Sequence, residues 1–175
     1  VDRDEWSYAA QGNRLTVDKC ELSSQGAQTR FKVKTGDLSI DLTLSAAPRR
    51  TRPPKHRIRI GGSEFYESEV LIPWANATAQ VAAKSGRATL KGMGYLDHTR
   101  SNTRLPKIAS RWLRFRGFKG AKRMLMEIRY DPKGRASGWQ WVEGTPKPSP
   151  LDLTALKLQA DRKAVTLSLA SGALQ

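Results

Sequence analysis

Between residues 31 and 45 the side chains alternate with a period of two, and no other feature constrains the fold as strongly. Leu38, Ile40, Leu42 and Leu44 fall on one side of an extended backbone, and Ser39, Asp41, Thr43 and Ser45 fall on the other. Phe31 and Val33 repeat the pattern opposite Lys32 and Lys34. Successive strand residues point to opposite faces, so such a segment buries one face and wets the other. The stretches 29–35 and 37–45 meet at Gly36-Asp37, a tight-hairpin signal. Further strand-like runs cover 57–60, 66–74, 78–82, 87–98, 111–118, 123–130, 138–142 and 164–170. Gly61-Gly62, Lys84-Ser85-Gly86, the stretch from Gly117 to Gly120, and Asp131-Pro132-Lys133-Gly134 connect them, the last with type I turn chemistry.

About nine or ten strands at roughly 8–12-residue spacing predict a sandwich or barrel. The expected fold is all-β: an antiparallel, meandering barrel of about 8–10 strands, with one or two short helices over 105–111 and 150–160. Residues 1–175 are expected to form one domain, with the Pro-rich stretch 145–150 as an internal connector. A barrel of about eight strands is wide enough to hold one small ligand, with alternate residues facing its lumen.

Composition narrows the partners. Hydrophobic residues make up 38% of the 175, enough for a real core. Lys and Arg total 31 against 16 Asp and Glu, a net charge of +15 that attracts anions. One cysteine, Cys20, excludes an internal disulfide and an all-cysteine zinc site; its strand-like setting reads as a small core residue. No apolar run approaches the ~18 residues of a membrane helix, and no signal peptide is visible. The chain begins at Val1 rather than Met, which points to an N-terminal segment removed before it. The expectation is a soluble or peripheral domain, periplasmic or cytoplasmic.

Chemistry-bearing residues concentrate in Gly92-Met93-Gly94-Tyr95-Leu96-Asp97-His98. Alternation places Gly94, Leu96 and His98 on one face, with Tyr95, Asp97 and Thr99 on the other. Glycines inside a strand mark a bulge, curvature or close approach. Two readings follow: a strand bent so that its polar groups reach a cavity mouth, or a curved strand whose Asp and His are hydrogen-bonded at its rim. Asp97 and His98 point to opposite faces and cannot easily act as one acid–base pair, and no third group completes a triad. The other histidine, His56, lies in a basic Pro-rich loop, so metal-ligand spacing is missing. Nucleotide-loop patterns are absent too.

Two basic clusters stand out. Arg49, Arg50, Arg52, Lys55, Arg57 and Arg59 form the first; the second runs from Arg100 and Arg104 through Arg111, Arg114 and Arg116 to Arg123. Within 111–118, Trp112, Arg114, Arg116 and Phe118 share a face opposite Leu113 and Phe115. Arginines beside aromatics suit phosphate, carboxylate or sulfate recognition and docking on an anionic bilayer. Nucleic-acid signatures such as RNP aromatics, helix-turn-helix or finger spacing are absent.

The Gly-Met-Gly-Tyr-Leu-Asp-His stretch, followed after a short insert by Arg111-Trp112, resembles the lipocalin-like (calycin) superfamily of carotenoid 1,2-hydratases, AttH-type proteins and fungal survival-factor ceramide carriers. The resemblance covers residues 60–118, including Phe65-Tyr66-Glu67 through Pro73. It implies a lipocalin-like barrel, and one half of the two-domain arrangement usual in that superfamily or a stand-alone copy. In the hydratases the histidine and a tryptophan two residues later are implicated in protonating the polyene; His98 matches the first, but Arg100 and Ser101 replace the tryptophan and the glycine after it. A guanidinium there repels a cationic intermediate that an aromatic face would favour. The departure therefore leans toward carrying a ligand.

The leading expectation is non-catalytic binding or transfer of a lipid or isoprenoid with an anionic headgroup. Tyr95, His98, Arg100, Arg104, Arg111, Trp112, Arg114 and Arg116 form the expected ligand site; no metal or cofactor is called for. Its partners would be an apolar small molecule and an anionic membrane surface. The alternatives are an enzyme acting on a polyene or lipid with His98 or Asp97 as proton donor, and a polyanion or nucleic-acid module resting on charge.

Overall fold

In the computed structural model, residues 6–11, 13–153, 157–160, 165–169 and 172–174 are described. They form strands β1 (Trp6–Ala9), β2 (Arg14–Val17), β3 (Cys20–Gln25), β4 (Gln28–Thr35), β5 (Leu38–Ser45), β6 (Arg57–Gly61), β7 (Glu64–Ala83) and β8 (Gly86–Ser101). A one-turn helix α1 (Leu105–Ile108) follows, then β9 (Arg111–Lys119), β10 (Lys122–Tyr130), β11 (Ala136–Val142) and β12 (Ser149–Pro150). Three short strands close the order: β13 (Lys157–Ala160), β14 (Val165–Leu169) and β15 (Gly172–Leu174). Two compact units emerge, one of residues 1–50 and 70–97, the other of 51–69 and 98–175.

In the first unit β1 to β5 run as an antiparallel meander, and β5 pairs with residues 76–82 of β7. The expected hairpin is there: Thr35 pairs with Leu38 across a two-residue turn whose Gly36 has a φ of +52°, a left-handed conformation that favours glycine. Leu44, Ile72 and Ala75 are its buried centre, flanked by Leu42, Leu71, Ala77 and Leu96.

In the second unit β6 pairs with residues 64–67 of β7, and β9 to β12 form an antiparallel sheet in the order β12-β11-β10-β9. The turn after β10 is type I, as its composition predicts: Gly134 N–H donates to Asp131 O at 2.9 Å, and Asp131 Oδ1 accepts from the amides of Lys133 and Arg135. One face of this sheet carries Met124, Met126 and Ile128, packed by Leu113, Phe115, Tyr130, Val142, Leu151 and Leu153.

Several expectations are corrected. The runs 66–74 and 78–82 are one continuous strand, β7. Its Pro73 lies outside the registers shared with β5 and β6, where a missing N–H does not break those ladders. Residues 157–160, expected within a helix, form β13 instead; Leu158 pairs with Leu167, so strand partnership overrides a leucine spacing that reads as helical. The described strands fall into three antiparallel sheets. Among the described residues no helix is long and apolar enough to cross a membrane.

Candidate functional site

The first unit presents a sheet face with two apolar rungs. Tyr8, Leu15, Leu22, Phe31, Leu42 and Ala79 stand side by side across β1, β2, β3, β4, β5 and β7. One step along, Val17, Cys20, Val33, Ile40 and Val81 form the next rung. The opposite face is polar: Arg30 bonds Asp41 through both nitrogens, Lys32 pairs with Glu21 at 4.0 Å, and Thr89 donates to Gln80 at 2.8 Å. The Arg30 guanidinium holds the Asp41 carboxyl below its ordinary range. None of the residues in the two apolar rungs is fully buried, and Phe31 and Tyr8 are 37% and 57% exposed. At the end of this face an open cleft of about 420 Å³ has Cys20, Val33 and Ile40 among its lining, with Lys19, Lys32 and Lys34 and the carboxylates of Asp18, Glu21 and Asp41 beside them.

Gly94 shows why a glycine belongs in this unit. A Cβ there would stand 2.2 Å from Leu44 Cδ2 and 3.3 Å from Ala77 Cβ, whereas Gly92 faces open space. The motif glycine is a close-approach position. Tyr95 and Asp97 lie on one face of β8, and Tyr95 Oη donates to Asp97 Oδ2 at 3.0 Å.

The second unit carries the arginine–tryptophan face. Trp112, Arg114 and Arg116 share one side of β9, opposite Arg129, Glu127 and Leu125 of β10. Arg114 Nε reaches Glu127 Oε2 at 3.2 Å and its guanidinium lies 4.9 Å over the Trp112 ring. Tyr66 meets the edge of Trp112, centroids 5.1 Å apart. Arg116 Nη1 donates to the carbonyls of Phe115 and Met126 at 2.9 and 3.1 Å. Glu127 is 8% exposed, and burial pushes its carboxyl above the usual range against the pull of Arg114. Burial likewise raises the Tyr66 phenol and lowers the Arg129 guanidinium. Tyr66 Oη, Trp112 Nε1 and Arg129 Nε are buried without a hydrogen bond of ordinary geometry, although the Thr99 and Ser68 hydroxyls act on the phenol and the Trp112 indole on the Glu127 carboxyl.

Of the residues expected to line a ligand site, Trp112, Arg114 and Arg116 are brought together. Arg100 instead donates to the buried Glu67 at 3.1 Å. Arg111 lies on the opposite face of β9, 5.6 Å over Tyr130. Arg104 is the exposed residue preceding α1 and makes no side-chain cap. His98 is exposed on β8; Tyr95 and Asp97 belong to the first unit and His98 to the second. Cys20 is half-buried rather than a core residue. Among the described residues no group of three or more His, Cys, Asp or Glu stands together as a metal site.

Glu127, Tyr66 and Arg129 were not among the expected residues. The signal was present for Glu127: one carboxylate interrupts the apolar run 124–128, and a charge in such a run is buried against a partner. No protein-family model, curated protein or solved structure matches the chain.

Proposed function

We propose that the chain is a non-catalytic binder of apolar or amphiphilic molecules, with the apolar face of the β2–β5 and β7 sheet as the receiving surface. One observation carries this reading: two rungs of aliphatic and aromatic residues span the meander, none of them is fully buried, and Tyr8 and Phe31 are exposed. An antiparallel sheet ordinarily packs its apolar face on a core, and a contiguous exposed apolar surface marks an interaction site. The cleft at its end sets Cys20, Val33 and Ile40 beside three lysines and three carboxylates, a charge-balanced rim at the end of the apolar face.

The lipocalin-like relationship belongs to the same proposal. The Gly92–His98 stretch supports it, as does the up-and-down order β1 to β5, the strand order of such barrels. In that reading the apolar rungs are the inner wall of the calyx.

Native mass spectrometry after incubation with a mixed lipid extract tests the proposal. Wild-type protein takes up an amphiphile at about one per chain. Phe31→Asp puts a charge among the apolar rungs at an exposed position where folding tolerates it, and lowers uptake about tenfold or more. Protein that stays empty with every lipid class, or uptake indifferent to Phe31→Asp and Leu22→Asp, would falsify the reading.

A further inference from the structure

We propose that an open cleft in the second unit, between residues 52–56 and residues 146–150, binds a small molecule that joins an aromatic ring to a phosphate group. The cleft has a volume of about 550 Å³, within the range of small-ligand sites. Both of its walls belong to this unit. Pro53 and Pro54 stand on one, and Pro146, Pro148 and Pro150 on the other. Pro53 and Pro148 are buried and anchor the walls, while Pro54 is half-buried and Pro146 and Pro150 are exposed.

Charge selects the ligand. Arg52, Lys55, His56 and Lys147 line the cleft, and among the described residues no Asp or Glu does. Arg52 donates through Nε to the buried Glu69 at 2.9 Å, which fixes the guanidinium while 57% of the side chain stays in solvent. Lys55 and Lys147, one on each wall, are exposed, and neither has an ion-pair partner among the described residues. Unpaired cations on both walls, with no competing acid in the lining, favour a doubly charged phosphate over a carboxylate. The prolines favour a ring: their fixed backbone loses little freedom on binding, and proline against an aromatic face is a recurring mode of recognition.

Lys55 supplies an independent sign. His56 N–H donates to the Pro53 carbonyl at 3.1 Å, closing a turn with Pro54 second and Lys55 third. Lys55 has a φ of +55°, the left-handed region that a turn of this kind ordinarily gives to glycine or asparagine. The other non-glycine residues described with positive φ are Asn13 and Asp18, whose short polar side chains tolerate it. A lysine there holds the backbone in a costly conformation and places a cation at the cleft, and such strain clusters at ligand sites. This site lies wholly in the second unit and is independent of ligand uptake on the sheet of the first.

Titration of the full chain with phenyl phosphate, benzoate and inorganic phosphate, followed by calorimetry and by backbone amide resonances, tests it. In wild type, phenyl phosphate saturably shifts the amides of Lys55, His56 and Lys147. It binds about tenfold more tightly than inorganic phosphate, the gain from covering part of a ring. Benzoate, with one charge, binds several-fold more weakly than phenyl phosphate. Lys55→Gly and Lys147→Ala each weaken phenyl phosphate about threefold, the effect of one partly solvated cation. Lys91→Ala, which removes an exposed charge of the first unit, leaves the affinity unchanged. Lys55→Gly at the same time raises the thermal midpoint by about 2–4 °C, because glycine accepts the turn's φ without strain, so its lost affinity does not come from a damaged fold. Amides of both walls that stay unmoved, inorganic phosphate or benzoate bound as tightly as phenyl phosphate, or an affinity indifferent to Lys55→Gly and Lys147→Glu, overturns the proposal.

Discussion

Glu67, Glu69 and Glu127 are almost wholly withdrawn from water, and each faces an arginine, Arg100, Arg52 and Arg114, whose own side chain stays largely in solvent. The balance between desolvation and pairing sets the sign at each carboxyl. For Asp41, Glu64 and Glu143, which are not withdrawn from water, a hydrogen-bonded cation wins and the carboxyl is held low. For Glu127 burial wins and the carboxyl is held high, although Arg114, Arg116 and Arg129 all favour its charge. The folded state therefore binds the Glu127 proton more tightly than the unfolded chain does. Its contribution to stability is full below the ordinary glutamate value of 4.5 and is lost as pH rises through the elevated folded value. Glu127→Gln keeps the shape and discards the charge. Its stability relative to wild type accordingly improves from pH 4.5 to pH 8, as denaturant melts at a series of pH values would read. A difference that runs the other way would mean that pairing outweighs burial. Arg114→Ala has the opposite character. It leaves a buried carboxylate without its nearest cation and costs about 1–3 kcal/mol at neutral pH, below the usual figure for a buried pair because Arg114 is partly in solvent. That cost shrinks in acid as Glu127 takes up a proton.

At the scale of the strand, the two glycines of the Gly-Met-Gly segment differ in kind. Gly94→Ala drives a methyl group into Leu44, which is 6% exposed and held in the unit's core, so the leucine must leave its rotamer. A loss of about 1–3 kcal/mol is expected from such overpacking. Gly92→Ala meets nothing within 4 Å and changes stability by less than about 0.5 kcal/mol. Equal thermal shifts for the two would show that Gly94 serves backbone geometry rather than close approach. The elements themselves were largely legible. Period-two alternation located β4 and β5 to within a residue or two, and turn chemistry located the Gly36 and Asp131 turns, because these signals are local. The first three strands are not separable by alternation: their apolar positions, Leu15, Val17 and Leu22, are few, and their place on a common face emerges only from pairing. The same limit applies to the site. Trp112, Arg114 and Arg116 were read correctly as sharing a face, since one strand's alternation contains that information. That Arg100 is committed to Glu67, 33 residues away, and that Arg111 stacks on Tyr130, depends on long-range register that no window of sequence contains.

For the whole molecule, the proposed function would have a net charge of +15 and an apolar sheet face act on a ligand at different moments. The charge works at a distance, over a screening length of about 10 Å at 0.1 M salt, and so governs the encounter. Apolar contact forms only after docking and governs how long the ligand stays. If an anionic amphiphile is the ligand, the two contributions separate in a stopped-flow experiment with a fluorescent fatty acid and its methyl ester. Association of the acid slows several-fold between about 20 and 200 mM salt, because the field that steers it is screened. Its dissociation changes by less than about twofold, since burial of the chain is indifferent to ionic strength at these concentrations. The ester, matched in apolar area and lacking the charge, associates more slowly and shows little salt dependence in either direction. Were salt to slow acid and ester alike, the basic surface would have no part in capture. Were it instead to speed dissociation of the acid while leaving association untouched, the cations would act at the bound headgroup, and Lys19 and Lys34 beside the cleft would be the first residues to replace.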